Sequence, residues 1–265
     1  MPAFAGVLCW CLMTSDASAQ ASDQLHVTPN TAEPASSDPS WTATIGGGLA
    51  VLPDYEGSED YEFLPLPLID LTWNDRLFLN VRRGIGVYAI KSEQLQLGAS
   101  VGFGRGRDED DSDQLEGLGD VDPAARAHIF GSYSVGRFNV FADLSRDVGG
   151  SDGAQIELGG GFRHALARKV MVSGSLSATW ADENYMDAFF GVSQLQSQRS
   201  GLTSFDAEAG LKRTDLQFST TWLAGDSWFY SANLGLGVLL DDARYSPVTQ
   251  DEIQGFLGLA VGYKY

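Results

Sequence analysis

Long runs in which apolar residues alternate with small or polar ones constrain this chain more than any other feature. The clearest runs cover residues 95–104, 155–163, 170–180, 228–240 and 255–265. A period of two indicates a β-strand whose two faces meet different environments. Soluble strands average about five or six residues, whereas a tilted strand that spans a bilayer needs about nine to eleven. The length of the runs therefore predicts a transmembrane β-barrel rather than a soluble sandwich.

The last run ends the chain and has two tyrosines at its apolar positions. Its apolar face carries Leu257, Leu259, Val261, Tyr263 and Tyr265, and its other face carries mostly small residues. Tyrosine suits a membrane–water boundary, because its ring is apolar and its hydroxyl can stay hydrated. The segment resembles the C-terminal assembly signal of bacterial outer-membrane barrels.

Connections of alternating length predict the number of strands. Short turns occur at residues 74–75, 91–94, 135–136, 167–168 and 225–227, and long loops at 53–61, 108–122, 148–153, 182–204 and 241–250. In bacterial outer-membrane barrels short turns face the periplasm and long loops face outward. One outer connection is missing, and a tight hairpin at Arg82-Arg83-Gly84 supplies it. The side-chain alternation also shifts near residues 212–215, which we interpret as a β-bulge. The predicted fold is an all-β, antiparallel, up-and-down transmembrane β-barrel of about 12 strands, with 10 as the alternative.

The first forty residues differ in composition from the predicted barrel at 41–265. Residues 1–19 contain a short apolar run followed by an Ala-x-Ala pattern at Ala17 and Ala19, which predicts a cleaved secretory signal peptide. Residues 20–40 are rich in Ser, Asp, Ala and Pro, and we expect a flexible periplasmic leader. Both cysteines, Cys9 and Cys11, lie in the signal segment, so the exported chain is expected to have no disulfide. The predicted location is the outer membrane of a Gram-negative cell.

The formal charge argues against several classes of partner. It is −18 for the whole chain, which argues against DNA, RNA or an anionic inner-leaflet surface. The sequence has no run of eighteen apolar residues, so no transmembrane helix is expected. Contact with outer-membrane lipid would then be made by strands alone.

Few residues are arranged for catalysis or for metal binding. The acidic run at 108–113 lacks the spacing of an EF-hand, and we interpret it as a solvated loop. The histidines, His26, His128 and His164, show no metal-site spacing, and His128 is predicted to line the lumen. The pattern Gly-x-Ser-x-Gly occurs at residues 98–102, inside an alternating run, and at 149–153, in a predicted loop. Neither match lies at a strand-to-helix turn, so we do not interpret either as a nucleophile elbow. We therefore expect no enzymatic activity, no cofactor and no metal.

One predicted loop is unusually apolar for a connection. Residues 182–204 contain Tyr185, Phe189, Phe190 and Val192. An aromatic cluster of this kind either packs on itself as a lid over or inside the barrel mouth, or is exposed for contact with a partner. The sequence leaves both readings open.

Five stretches resemble, in chain order, motifs of the MipA/OmpV family of outer-membrane proteins. The residues that carry the resemblance are Pro53, Tyr55, Gly57 and Ser58; Gly117, Leu118, Gly119 and Asp120; Trp180, Asp182, Tyr185, Phe190 and Gly191; Ser246 and Pro247; and the final strand with Tyr263 and Tyr265. The resemblance extends from about Trp41 to Tyr265. At Gly57, Gly117 and Gly119 we expect turns that need a positive φ or close backbone approach.

The resemblance implies a barrel without enzymatic activity that acts as a scaffold. The implied partners are a murein hydrolase of the lytic transglycosylase type and a murein synthase of the penicillin-binding type. Alternatives are a small-solute channel or porin, or an outer-membrane protein linked to envelope stress. The resemblance transfers no binding residue to this chain, and it leaves the oligomeric state open.

Overall fold

Each alternating run of the sequence forms a strand in the computed structural model, which describes residues 41–265. Twelve antiparallel strands follow one another around a closed barrel, and the last pairs with the first. The strands are β1 (Trp41–Pro53), β2 (Tyr61–Trp73), β3 (Leu77–Asn80), β4 (Gly84–Lys91), β5 (Leu95–Gly104), β6 (Ala124–Val135), β7 (Phe138–Val148), β8 (Ala154–Ala167), β9 (Val170–Ala181), β10 (Gly210–Ala224), β11 (Trp228–Leu239) and β12 (Ile253–Lys264). The prediction of twelve strands is confirmed, and the alternative of ten is wrong. The signal peptide, its cleavage site and the leader lie outside the described residues.

The outer face of the barrel is an apolar belt. Leu49 of β1, Leu176 of β9 and Leu259 of β12 are each at least 57% exposed. Exposure of so many large apolar side chains would be unfavourable in water and is favourable in lipid. Aromatic pairs lie at the end with the short turns: Trp41 with Trp73, Trp222 with Tyr230, Trp228 with Tyr263, and Tyr263 with Tyr265. The belt and these rings identify a membrane-spanning outer-membrane barrel.

Closure of the barrel depends on the final strand. β12 pairs with β1 from Val51↔Leu257 to Thr44↔Lys264, and β11 covers its other edge. The predicted irregularity in β10 is a register shift between Leu211 and Arg213, so the bulge is confirmed. The predicted hairpin at residues 82–84 connects β3 to β4 through only four residue pairs.

Three helices occur where the sequence analysis predicted only loops. They are α1 (Glu183–Phe190), α2 (Gln194–Ser200) and α3 (Asp241–Tyr245), and short 3-10 turns lie at Glu109–Asp111 and Asp113–Leu115. Helices α1 and α2 each have a capping residue at the N-terminus. The Asp182 side chain accepts a hydrogen bond from the Tyr185 amide, and Ser193 forms a capping box with Gln196. Between residues 41 and 265 no helix combines the length and apolarity needed to cross a membrane.

Candidate functional site

The long loops fold inward at one end of the barrel and form a cap, which we define as residues 54–60, 105–123, 182–209 and 240–252. By the rule for bacterial outer-membrane barrels this is the outer end, and the short turns lie at the periplasmic end. Two buried apolar clusters hold the cap: one contains Tyr185, Met186, Phe189, Phe190, Ala207, Leu239 and Ala243, and the other Tyr55, Leu115, Leu118, Val192 and Val248. The aromatic loop therefore packs inside the protein as a lid, and its interpretation as an exposed partner surface is wrong.

The family-motif residues come from distant stretches of the chain, and most of them meet in the cap. The Tyr55 hydroxyl donates to the carbonyl of Val248 at 3.1 Å and to Gln250 Oε1 at 2.8 Å. The Ser246 hydroxyl donates to the carbonyl of Phe190. The carbonyl of Pro247 accepts from Gln114 Nε2 at 2.8 Å. These hydrogen bonds connect the first, third, fifth and last outer connections of the chain.

The glycine positions of the motifs serve tight turns in the cap. Gly57, Gly117 and Gly119 have φ values of +106°, +84° and +76°, which L side chains rarely adopt. The amides of Gly117 and Gly119 both donate to Glu109 Oε2, at 3.2 and 3.0 Å, and Asp120 Oδ1 accepts from the Glu109 amide. The acidic run thus orders its own loop through hydrogen bonds to backbone amides, whereas its composition indicated only a solvated loop.

Two other motif residues cap the two ends of helix α1, and the remaining ones lie outside the cap. Asp182 caps the first turn of α1, and the Gly191 amide donates to the Asp187 carbonyl at 2.9 Å after its last turn. Trp180 lies on the outer face of β9 and is 39% exposed. Tyr263 and Tyr265 lie at the opposite end of the barrel, so the structure does not bring them together with the other motif residues.

A layer of paired charges lies directly beneath the cap. Glu56 accepts from Lys212 Nζ at 3.0 Å and from Arg213 Nη1 at 3.1 Å, and its side chain is only 4% exposed. Burial would raise the pKa of Glu56, but the two cations beside it lower that pKa to about 2. The Tyr185 hydroxyl also donates to Glu56, and Lys212 donates to Gln155. Burial raises the pKa of Tyr185.

The charge layer continues around the lumen wall on β6 and β7. Both Asp147 oxygens pair with the guanidinium of Arg126, and Asp147 also accepts from Ser151. His128 Nδ1 lies 2.9 Å from Asp143 Oδ1, and Arg83 Nε lies 3.4 Å from Asp143 Oδ2. The prediction that His128 lines the lumen is confirmed. Within residues 41–265, no group of three His, Cys, Asp or Glu side chains could hold a metal ion.

Below the charge layer the lumen widens into a vestibule of about 820 Å³ at the periplasmic end. Its charged lining consists of five cations, Arg82, Arg83, Lys91, Arg137 and Arg163, and three carboxylates, Asp70, Asp75 and Glu93. The chain has 17 Lys and Arg residues against 35 Asp and Glu residues, so the vestibule concentrates positive charge. Aromatic rings contribute as well: the Arg83 guanidinium lies 3.9 Å from the centre of the Phe130 ring.

The vestibule could not be predicted from local sequence patterns, because the cations that line it come from several strands and connections. The available signal was the distribution of charge, since no Lys or Arg precedes Arg76. Six cations lie on the short-turn end within residues 41–265, and the acidic side chains of the same turns are Asp75, Glu93 and Asp226. The cations are Arg76, Lys91, Arg137, Arg168, Lys169 and Lys264. The long loops carry most of the acidic residues. The two ends of the barrel therefore have opposite charge.

Comparisons with known proteins give a family match and several similar solved structures. The family model described as MltA-interacting protein MipA matches residues 45–265. No curated protein sequence matches the chain. Similar solved structures include the KdgM porin, with 6% identity, a TM-score of 0.40, and coverage of 83% of this chain and 98% of that chain. An outer membrane channel from Pseudomonas putida F1 is 10% identical with a TM-score of 0.42, over 90% of this chain and 100% of that chain.

Proposed function

Because the chain belongs to the MltA-interacting protein MipA family, we propose that it is a non-enzymatic scaffold of the outer membrane. In this role it would hold a lytic transglycosylase and a penicillin-binding murein synthase close to the peptidoglycan. The barrel would serve as a fixed membrane anchor, and the periplasmic end would be the docking surface.

The observation that carries the proposal is the opposite character of the two barrel ends. The outer end is filled by the cap, whereas the periplasmic end has an open vestibule of about 820 Å³ with a cationic rim. The rim is positive although the whole chain has a charge of −18. Electrostatic attraction should therefore bring the acidic surface of a partner protein to the periplasmic end rather than to the cap. The rim side chains Arg137, Arg168 and Lys169 are exposed and available for such contacts.

Crosslinking in intact cells followed by affinity purification tests the scaffold. We expect a murein hydrolase and a murein synthase to be recovered with the wild-type chain. A rim variant carrying Arg137→Glu, Arg168→Glu and Lys169→Glu should lose most of this recovery, because it reverses the charge of the docking surface. Arg199→Glu, on an exposed position of α2 in the cap, is the matched control and should retain it.

Two results would count against the scaffold. Recovery of neither enzyme with the wild-type chain would remove the proposal. Equal loss in the rim variant and the Arg199→Glu control would mean that the rim charges do not direct docking. Heat-modifiable gel mobility of each variant shows that the barrel is folded.

The alternative function, a small-solute channel, has less support. A channel needs a continuous aqueous path, whereas the cap places two apolar clusters and the Glu56–Lys212–Arg213 contacts across the outer end of the lumen. Folded protein in planar bilayers should therefore show no steady conductance. A stable open current would favour the channel over the scaffold.

A further inference from the structure

The charges that line the vestibule are distributed unevenly around the barrel. On the side formed by β2–β5 and their connections, three carboxylates accompany three cations: Asp70, Asp75 and Glu93 with Arg82, Arg83 and Lys91. The other side, formed by β6–β9 and their turns, contributes Arg137 and Arg163. Among residues 124–181 no carboxylate lines the vestibule. The excess of positive charge therefore lies on the β6–β9 side.

The carboxylates on the inner face of the same strands lie far from these two arginines. Asp143 of β7 and Glu157 of β8 line the smaller cavity beneath the cap instead. Asp143 follows Arg137, and Glu157 precedes Arg163, by a stretch of strand that is about 20 Å long at the usual rise per residue. Charges in water are largely screened beyond about 10 Å at 0.1 M salt. These carboxylates therefore leave the positive charge of the wall in place.

Arg137 and Arg163 lie side by side where β7 begins and β8 approaches its end. The Arg163 amide donates to the Arg137 carbonyl at 2.8 Å, and both side chains line the vestibule. Like charges directly opposite each other on neighbouring strands repel, and an anion between them would relieve this repulsion. A carboxylate or a phosphate suits two guanidinium groups, because its oxygens accept paired N–H bonds. Arg163 also makes contacts within the barrel, so the anion would share this side chain with them.

Neutral polar side chains lie next to the two arginines. Ser132 and Ser134 of β6 and Asn139 of β7 all line the vestibule. Ser134 is paired with Asn139, and Asn139 is paired with Gly161 of β8. A Cβ added at Gly161 would lie 3.0 Å from Asn139 Oδ1, so the glycine leaves room for the amide group. Hydroxyl and amide groups both donate and accept hydrogen bonds, which suits the hydroxyl groups of a ligand.

We propose that this wall of the vestibule binds a small hydrophilic organic anion. Its carboxylate or phosphate would lie between Arg137 and Arg163, and its hydroxyl groups would contact Ser132, Ser134 and Asn139. The cavity volume of about 820 Å³ lies within the range of about 300–1,000 Å³ that is usual for small-molecule sites. The vestibule is open at the periplasmic end and the cap fills the other end of the lumen, so the ligand would enter from the periplasm. The site goes beyond the scaffold function and does not depend on it.

Three sugars with the same ring test the site by titration calorimetry on the purified, folded protein. Glucuronate carries a carboxylate, glucose 6-phosphate carries a phosphate, and glucose is neutral. We expect saturable binding of glucuronate, of glucose 6-phosphate or of both, about tenfold tighter than that of glucose, because charge-assisted hydrogen bonds are the stronger ones. The sugar that binds identifies the anionic group. Binding of neither anion, or equal binding of all three sugars, would overturn the proposal.

Two substitutions that remove the same charge locate the site. Arg163→Gln removes a cation that lines the vestibule, whereas Arg168→Gln removes one from the following turn, outside the vestibule. We expect Arg163→Gln to weaken binding of the anion about tenfold or more and Arg168→Gln to weaken it less than about twofold. Equal weakening would mean that the general positive charge of the periplasmic end attracts the anion, and the assigned site would be wrong. Arg163 is not part of the rim variant that tests the scaffold, so the two proposals can fail separately.

A measurement on the wild-type chain covers the case in which Arg163→Gln fails to fold. Phenylglyoxal modifies arginine side chains, and the modified positions are mapped by mass spectrometry with and without a saturating concentration of the sugar anion that binds. Protection of Arg137 and Arg163, with none at Arg168, would support the site. Equal protection of all three arginines, or protection of none, would overturn it.

Discussion

The outer and periplasmic ends of the barrel use the same twelve strands but differ in how their connections pack. In the cap Tyr185 and Phe190 are 0% exposed, and hydrogen bonds join residues nearly two hundred positions apart, such as Tyr55 and Val248. At the periplasmic end Val135 and Phe138, on either side of a short turn, are 60% and 59% exposed. One end is a solid core, and the other is an open rim around a cavity.

The length of the connections explains this difference. The connection between β9 and β10 is long enough to form α1 and α2 and to bury aromatic side chains. A turn such as the one between β6 and β7 has only two residues and cannot cover the lumen. The cap can therefore contribute stability, and the rim keeps its charged side chains available for a partner. Substitutions should affect stability strongly at the cap and weakly at the rim.

The largest expected effect is at the buried carboxylate of the charge layer. Glu56→Gln leaves Lys212, which is 3% exposed, without its carboxylate partner, whereas Arg213 keeps its pairing with Asp215. Loss of one partner of a buried ion pair costs about 3–5 kcal/mol in the free energy of unfolding. Urea unfolding in detergent micelles measures this, with Glu59→Gln in the same loop as the exposed control, expected within about 0.5 kcal/mol. If Glu56→Gln and Glu59→Gln lowered the free energy of unfolding by similar amounts, the Glu56 carboxylate would not be what stabilises the cap.

Acid should weaken the same contact. The folded pKa of Glu56 is about 2, below its ordinary value of 4.5, so its charged form is favoured by folding. The stabilisation is fully present above pH 4.5 and is lost as the pH falls from 4.5 towards 2, with a size on the order of 3 kcal/mol. The rate of proteolysis in residues 182–209 should rise over that interval in the wild type. In the Glu56→Gln variant the rate of proteolysis should already be high at neutral pH and should change less between pH 4.5 and 2. If both proteins showed the same pH dependence, Glu56 would not be the group that titrates.

The same glycine substitution at the two ends gives a direct comparison of intermediate size. Gly57 has φ +106°, and an added Cβ would lie 2.9 Å from Thr249 Oγ1, so Gly57→Ala should cost about 2–3 kcal/mol. Gly136, in a periplasmic turn, has φ +60° and no heavy atom within 4 Å of the added Cβ. Gly136→Ala should therefore cost about 1 kcal/mol from backbone strain alone. Thermal unfolding in detergent, monitored by gel mobility, compares the stability of the two variants. A larger loss in Gly136→Ala than in Gly57→Ala would contradict the proposed difference in packing between the two ends.

Strand number and facing could be predicted from the sequence because the side-chain alternation is strictly local. Leu95, Leu97 and Ala99 lie on the same face of β5 because side chains alternate along any strand. The bulge near Arg213 is visible in the sequence as a shift in that alternation. Helices α1 and α2 were missed although Asp182 and Ser193 carried capping signals, because a loop of mixed composition gives a weak period. The short β3–β4 hairpin was located, but the pairing of β3 with only the last four residues of β2 depends on the stagger of distant strands.

The site was less predictable because its residues come from separate connections. The motif stretches around Tyr55, Gly117, Tyr185 and Ser246 gave no indication of convergence until the loops folded inward. The cations of the vestibule, such as Arg83 and Arg163, are separated by many residues in the chain and meet only when the barrel closes. Local sequence patterns predict which face of a strand a side chain lies on and where turns occur. The lining of a cavity depends on the closure of the whole sheet, which no local pattern shows.

The smallest expected effect concerns a partly exposed ion pair at the periplasmic end, compared with the buried pair at the cap. Lys91 Nζ lies 3.5 Å from Asp75 Oδ1, and the Asp75 side chain is 66% exposed, so Lys91→Met should cost at most about 1 kcal/mol. In 1 M salt, where charges are screened beyond about 3 Å, this cost should disappear. The cost of Glu56→Gln should persist in the same salt, because water and ions do not reach a side chain that is 4% exposed. If salt removed both costs in urea unfolding, the charge layer would be open to solvent, and the two ends would not differ in packing.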